Sequence, residues 1–310
     1  MSKLVVIGSS NTDMIIQVPR LPGPGETILG GDFTTAAGGK GANQAVAAAR
    51  AGCNVTFVAA VGDDMFGEQA LKGFEAEGIY TGLCVIDATA PSGVAQIFVD
   101  DDGENCIGVA SGANSCLEPG HIDRAAGLFG DGVVVLLQLE SPLETVEYSA
   151  RLAKNTGCTV ILNPAPAAIL PDSLFENLDY ITPNANEAEL LTGIPVTDEA
   201  SASAAATALH QRGCKNIIIT RGEHGVYLSQ HRDSGVHSTT AFPAFQVDAL
   251  DTTAAGDVFN GCLAARLVAG DDLDNAIHYA QAAAALSVQV LGAQDSAPEH
   301  AAILRVLNPA

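Results

Sequence analysis

The sequence predicts an α/β fold: a three-layer, doubly wound, mainly parallel central sheet carrying a small β-sheet lid. Three observations predict it. Short β-branched runs alternate with alanine-rich stretches along most of the chain, the rhythm of repeated βαβ units. Several of those runs are apolar nearly throughout, as parallel strands covered on both faces must be. Two segments break the rhythm and read as extended pieces of a second sheet. At 310 residues the chain suits a single domain, residues 1–310, with at most a small appendage.

Leu4–Gly8 is the first expected strand. Met14–Phe33 follows and cannot be helix, because Pro19, Pro22 and Pro24 interrupt it. Gly41–Ala51 reads as helix, Val55–Val61 as strand and Gly67–Glu77 as helix. Gly93–Val109 contains two extended runs, Val94–Val99 and Asn105–Val109, joined by Asp100-Asp101-Asp102-Gly103, a hairpin signal. That hairpin and the proline-broken segment are expected to pair off the main sheet as a lid, spanning about residues 12–37 and 91–112. The rhythm then resumes with strands at Val133–Leu139, Thr159–Leu162, Tyr180–Thr182 and Asn216–Thr220. Helices are expected at Leu143–Asn155, Glu187–Thr192 and Glu199–Arg212, and two longer ones at Gly256–Ala269 and Asp274–Val290.

Composition narrows the function classes. Apolar residues make up 47% and charged residues 16%, so the chain can bury a core. Fourteen basic residues against 36 acidic ones give a net charge of −22, with no Lys/Arg stripe, which argues against a nucleic-acid or anionic-membrane partner. The apolar opening run Met1 to Gly8 lacks a leader pattern, and no stretch of 18 apolar residues exists. Seven scattered cysteines without a C-x-x-C pair fit a reducing, cytoplasmic setting. The seven histidines form no H-x-H or H-E-x-x-H cluster, so a structural metal is not expected.

Polar and glycine-rich motifs follow the predicted strands, where open α/β sheets bind ligands. Ala37-Gly38-Gly39-Lys40-Gly41-Ala42-Asn43-Gln44-Ala45 places glycines around a lysine at a helix start, either an oxygen-binding loop or a flexible turn. It is not a Walker A loop, since Thr34 and Gly41 occupy positions that would need Gly and Ser or Thr. Asp251-Thr252-Thr253-Ala254-Ala255-Gly256-Asp257 places small residues before a helix, suited to an anion hole. Asp257, in the first turn, is either a proton acceptor or a charge stabilised by the helix dipole. Asn11-Thr12-Asp13 and Glu140 stand after strands and are either polyol ligands or turn and strand-end residues. Asn184-Ala185-Asn186-Glu187 and Thr220-Arg221-Gly222-Glu223-His224-Gly225 read equally as ligand loops or as an N-cap and a hairpin turn.

Taken together and in order, these residues resemble the PfkB-type carbohydrate kinases over essentially the whole chain. The carriers are Gly8 to Asp13, Pro24-Gly25-Glu26-Thr27, Gly38 to Ala45, Val61-Gly62-Asp63-Asp64 with Gly67, Gln138-Leu139-Glu140, Asn163-Pro164-Ala165-Pro166, Thr182-Pro183-Asn184 with Glu187, and Asp251 to Asp257. The ordered set favours the ribokinase branch over fructokinases and nucleoside kinases. The resemblance implies phosphorylation of D-ribose on its 5-hydroxyl by ATP with Mg²⁺, a monovalent cation (K⁺), and a homodimer formed through the lid. It also implies roles. Asp257 would be the base, with the amides of Ala254, Ala255, Gly256 and Asp257 as anion hole. Asn11, Asp13, Gly39, Lys40, Gly41, Asn43 and Glu140 would hold the sugar. Asn184 and Glu187 would work near the phosphates and Mg²⁺, and Thr220, Arg221, Gly222, Gly225, Gly256 and Gln281 would line the nucleotide. Asp251, Thr253, Ser287, Val290, Gly292 and Ser296 would form the monovalent-cation loop. Gln281 stands where the family often has a histidine, and Cys262 replaces a smaller residue. The rival readings are a kinase for 2-deoxyribose, fructose or a nucleoside, and a non-catalytic sugar-sensing protein on the same fold.

Overall fold

The computed structural model describes residues 3–231 and 237–308. The reading of Met1-Ser2 as the start of a run without a leader pattern lies outside the described residues. An eight-stranded sheet forms the centre. Its strands are β1 (Leu4–Ile7), β4 (Val55–Val58), β9 (Val134–Leu137), β10 (Thr159–Leu162), β11 (Tyr180–Ile181), β12 (Asn216–Thr220), β13 (Val226–His231) and β14 (His237–Phe242). They lie in the order β14-β13-β12-β11-β10-β9-β1-β4. All pairs from β12 to β4 are parallel, and β13 and β14 add antiparallel to one edge.

The apolar runs face two ways. Leu4, Val6, Val134, Leu136 and Phe57 pack against helices α1 (Lys40–Arg50), α2 (Met65–Ala76), α8 (Ala255–Ala269), α9 (Leu273–Ser287) and α10 (His300–Leu307). Val5, Ile7, Val135, Leu137 and Leu162 pack on the other face, against α3 (Pro119–Asp123), α4 (Leu143–Asn155), α5 (Asp172–Phe175), α6 (Ala185–Thr192) and α7 (Glu199–Gln211). Both faces are buried, so alternation of apolar and polar residues would have put unpaired polar side chains into one of the two cores.

A second sheet has four strands, in the order β3 (Phe33–Gly38), β2 (Asn11–Gln17), β7 (Gly93–Val99), β8 (Asn105–Ala110). It joins the hairpin to the segment after β1, the pairing the sequence predicts. Strand β2 starts at Asn11, four residues beyond the end of β1.

Several expectations are corrected. The single run Val55–Val61 divides: β4 stays in the main sheet, while β5 (Ala60–Gly62) pairs with β6 (Val85–Asp87) as a separate two-stranded sheet. The last long helix ends at Ser287 rather than Val290, because the Val288 carbonyl accepts the amides of Leu250 and Asp251 instead of continuing a helical ladder. Strands β6, β13 and β14 and the helices α3, α5 and α10 were not expected.

Helices α1 and α8 carry Asn43 and Asp257 and meet closely. A Cβ on Gly261 would lie 2.3 Å from the Gln44 carbonyl oxygen and 2.9 Å from the Ala47 Cβ. Gly261→Ala is therefore expected to lower stability by about 1–3 kcal/mol, more than the helix-propensity gain returns. Thermal denaturation tests this, and an unchanged melting temperature would contradict it.

Candidate active site

The parallel strands end at one edge, and the strand order reverses at β1, whose neighbours are β9 and β4. A crevice at such a switch point is where open α/β sheets bind ligands. Residues following β1 and β9 meet there. Ser9 donates from Oγ to Glu140 Oε2 at 2.6 Å, and the Lys40 amide donates to the same oxygen at 2.9 Å.

Asp257 sits in the first turn of α8, 5% exposed. Its Oδ2 accepts from Asn43 Nδ2 at 3.0 Å and its Oδ1 from Gln44 Nε2 at 2.9 Å. Burial raises the Asp257 pKa above the usual carboxylate range; the Lys40 charge and the two amide donors oppose this, and Glu140 adds to it. The helix begins without a side-chain cap. Ala254 precedes it at φ 58°, a left-handed conformation that costs a non-glycine residue about 1–2 kcal/mol. Ala255 and Gly256, which follow it, line the neighbouring cavity.

Asn11 and Asp13 lie on β2, at the base of the second sheet. Asn11 is 7% exposed, and its Oδ1 accepts from Asn114 Nδ2 at 2.8 Å, which leaves its own amide hydrogens for a ligand. Asp13 covers Gly38, where a Cβ would lie 2.4 Å from its carboxylate oxygens. Burial, then the charges of Glu140 and Asp257, raise the Asp13 pKa to about 6. Lys40 is a cation set among Asp257, Glu140 and Glu187. Burial lowers its pKa, but those three carboxylates outweigh it and hold the ammonium charged.

The glycine loop behaves differently from the expected amide cradle. The amides of Lys40, Gly41, Ala42 and Asn43 are bonded to Glu140, Ser9 Oγ, the Ser9 carbonyl and the Gly39 carbonyl. Gly41 is glycine because a Cβ would lie 2.5 Å from the Ser9 nitrogen. Gly39 adopts φ 89°, and a Cβ there would lie 2.7 Å from the Asn11 nitrogen and 2.9 Å from the Ser10 Cα. The loop thus fixes Lys40 and Asn43 by close packing.

Asn184 and Glu187 form a capping box at the start of α6. The Glu187 amide donates to Asn184 Oδ1 and the Asn184 amide to Glu187 Oε2, both at 2.8 Å. Glu187 is 7% exposed, and burial raises its pKa against the Asn184 amide and Lys40, with Asp257 adding to the rise. Among the described residues no three His, Cys, Asp or Glu side chains converge on a metal position. A lone buried carboxylate suits Mg²⁺, which takes most of its oxygens from phosphates and water.

On the far side of α8 lies a cavity of about 530 Å³, lined by Thr220, Gly222, Gly225, Phe245, Gly256 and Gln281 among others. Thr220 to Gly225 is also the hairpin turn between β12 and β13. Arg221 does not line the cavity; its guanidinium bonds the His224 carbonyl of its own turn at 3.0 Å. Gln281 is 7% exposed and donates weakly toward the Pro243 carbonyl at 3.3 Å.

Just before α8, Asp251 draws Thr253 and Gly292 together, three of the residues expected to hold a monovalent cation. Asp251 accepts the Thr253 amide on one oxygen and the Gly292 amide on the other, both at 2.9 Å. Burial raises the Asp251 pKa, but its hydrogen bonds with Thr253 and Gly292 prevail and hold it low. Ser287 and Ser296, 1% and 3% exposed, spend their hydroxyl protons on the Ala284 and Ala293 carbonyls, leaving oxygen lone pairs. Val290 has a hydrocarbon side chain, so only its backbone carbonyl suits a ligand role. One carboxylate with hydroxyl and carbonyl oxygens is a donor set for a hard cation of low charge.

Sequence reasoning assigned no role to Gln44, Gln138, Asn163 or Asn260, which are buried around Asp257 and its helix. Buried amides in an alanine-rich helix or at strand ends look like ordinary surface polarity until the fold brings them together.

Residues 1–300 match the pfkB family carbohydrate kinase description. A ribokinase of Haemophilus influenzae is 44% identical over 307 residues, 99% of each chain. A deoxyribokinase of Salmonella typhi is 42% identical over 296 residues, 95% of each. The solved structure of Arabidopsis thaliana ribokinase complexed with ribose and ATP superposes with a TM-score of 0.89 at 31% identity, covering 100% of this chain and 99% of that one. With its fold, its ordered motifs and its full-length relatives in agreement, this chain belongs to the pfkB family of carbohydrate kinases.

Proposed function

We propose that the chain transfers the terminal phosphoryl group of ATP to the 5-hydroxyl of D-ribose. One observation carries the reading: a buried carboxylate, Asp257, stands at an uncapped helix start between a polar crevice and an apolar-walled cavity. Such an arrangement supports the reading, because phosphoryl transfer to an alcohol requires a proton acceptor between the two ligands. The full-length similarity to ribokinases supports the sugar assignment.

In this reading Asn11, Asp13, Asn43 and Glu140 bind the sugar hydroxyls, with Gly39 and Gly41 shaping the floor and Lys40 supplying positive charge. Asp257 takes the O5 proton as O5 attacks in line. Amides 254–257 receive the negative charge of the transferred group. Thr220, Gly222, Gly225, Gly256 and Gln281 surround the nucleotide, and Arg221 stiffens their turn. Asn184 and Glu187 face the phosphates. Glu187 would hold Mg²⁺, which when bound would neutralise phosphate charge. The loop of Asp251, Thr253, Ser287, Val290, Gly292 and Ser296 would hold K⁺ beside the anion hole and fix its shape.

The four-stranded sheet serves as the lid, excluding water that would otherwise attack ATP. On its edge strand β8, Ile107 and Val109 lie two residues apart on one face and are each 54% exposed, an apolar pair suited to a second copy of the chain. No helix among the described residues is long and apolar enough to cross a membrane, and unpaired cysteines support a reducing cytoplasm.

A second reading, 2-deoxyribose as substrate, is favoured by the 42% identity to a deoxyribokinase. Coupled ADP release with ribose, 2-deoxyribose, fructose and nucleosides decides between them. The proposal expects the highest kcat/KM on ribose, and higher rates in K⁺ than in Na⁺ buffer. Preference for 2-deoxyribose would move the substrate assignment, no sugar-dependent ADP release would favour the sensing protein, and equal rates in both salts would remove the cation loop.

A further inference from the structure

We infer that Gln44 is a positioning residue for the reaction, holding the Asp257 carboxylate by the oxygen that Asn43 does not bind and locked in turn by Gln138 and Asn163. This rests on the reading of Asp257 as the base. The Gln44 amide uses both hydrogens of Nε2, one on Asp257 Oδ1 and one on Asn163 Oδ1, each at 2.9 Å. Its Oε1 accepts from Gln138 Nε2 at 2.6 Å. A flipped amide would set its oxygen against two acceptors and its nitrogen against a donor, so one orientation survives. Gln44 and Gln138 are both 0% exposed, so no solvent competes for these bonds. Room for Gln138 comes from Gly8, where a Cβ would lie 2.0 Å from Gln138 Oε1.

The network then returns to the helix that carries Asp257. Asn163 donates to the Thr182 carbonyl at 3.2 Å, Thr182 Oγ1 to Asn260 Oδ1 at 2.6 Å, and Asn260 Nδ2 to the Gly256 carbonyl at 2.8 Å. Asp257 is therefore tied both through its side chain and through the carbonyl of the preceding residue. A core of apolar side chains would hold the fold at least as well. Gln138 Oε1 has no hydrogen-bond partner among the described residues, but every polar atom of the Gln44 amide is bonded, and such an amide does something apolar packing does not: it holds a charged group in one orientation.

The other charged groups facing Asp257 are Lys40 on α1, Glu140 after β9, Asp13 on β2 and Glu187 on α6. None changes when Gln44 is replaced. Gln44→Leu removes a donor to the ionised carboxylate, so the acid limb of the kcat profile should move to higher pH.

Steady-state kinetics on the purified full chain test this, with thermal melts of each variant. Gln44→Leu is expected to lower kcat about 10–100-fold while KM for ATP stays within about threefold. Gln138→Leu, one bond further out, should shift kcat and the acid limb the same way by less, and it serves if Gln44→Leu does not fold. Unchanged kcat and an unmoved acid limb in a folded variant would overturn the inference, as would a kcat loss that tracks the melting temperature with no movement of the limb. Asp257→Asn run in parallel separates the two readings. Turnover near wild type there defeats the base assignment itself, whereas an inactive Asp257→Asn beside a normal Gln44→Leu defeats only the positioning role.

Discussion

Replacing Asp257 by asparagine is expected to lower kcat by about 10²–10⁴-fold with ribose affinity little changed. The amide preserves the side chain's shape but cannot take the O5 proton. It also cannot satisfy both neighbours, since Asn43 and Gln44 each offer it a donor. One of those donors loses its acceptor, at about 1–3 kcal/mol, partly offset by removal of a buried charge. Steady-state kinetics with a ribose titration by calorimetry check both halves. A variant that keeps near-wild-type turnover would exclude Asp257 as base.

The second large effect is expected at Asp13. Asp13→Asn should weaken ribose binding about 10–100-fold, because a buried hydroxyl loses a charge-assisted partner. Its pH behaviour follows from the raised pKa. As pH falls through about 6, Asp13 takes up a proton, so wild-type ribose affinity should decline there and that step should vanish in the variant. The stability sign is opposite. A carboxylate whose pKa is higher folded than unfolded gives the folded state the tighter hold on the proton. Wild-type stability is then lost as pH rises from about 4 to about 6. The variant avoids that loss and should gain about 1–2 kcal/mol at neutral pH, discounted for the partial exposure of the group. Denaturation at pH 4 and pH 7.5 would show it. Equal stabilities at both pH values, or unchanged ribose affinity, would remove Asp13 from the site.

The legible parts of this chain were those where burial leaves a one-dimensional trace. Strands β1, β9, β10 and β12 are covered on both faces, so their residues run apolar without a break. Leu143–Asn155 is recovered to the residue because its apolar face repeats at helical spacing. Edge strand β14 is half exposed and rich in Ser and Thr, which looks like loop. The division of Val55–Val61 depends on which sheet each half joins, and no local signal carries that.

The site was legible where a motif places a polar residue at a strand or helix end, as with Asn11, Glu140, Glu187 and Asp257. Its supporting shell was not. Gln44, Gln138, Asn163 and Asn260 come from a helix, two strand ends and another helix, and they acquire partners only when the sheet closes. The glycines around Lys40 illustrate a misleading signal. Their spacing suggests amides offered to a ligand, yet the amides are bonded internally and the glycines permit contact between backbones.

The most direct test is a crystal structure of the wild-type chain with D-ribose and a non-hydrolysable ATP analogue. Here the account predicts the sugar's O5 within about 2.6–3.2 Å of an Asp257 carboxylate oxygen, with the terminal phosphorus on the opposite side of O5. Ribose bound with O5 turned away from Asp257, or another group in hydrogen-bonding reach of O5 in its place, would contradict it.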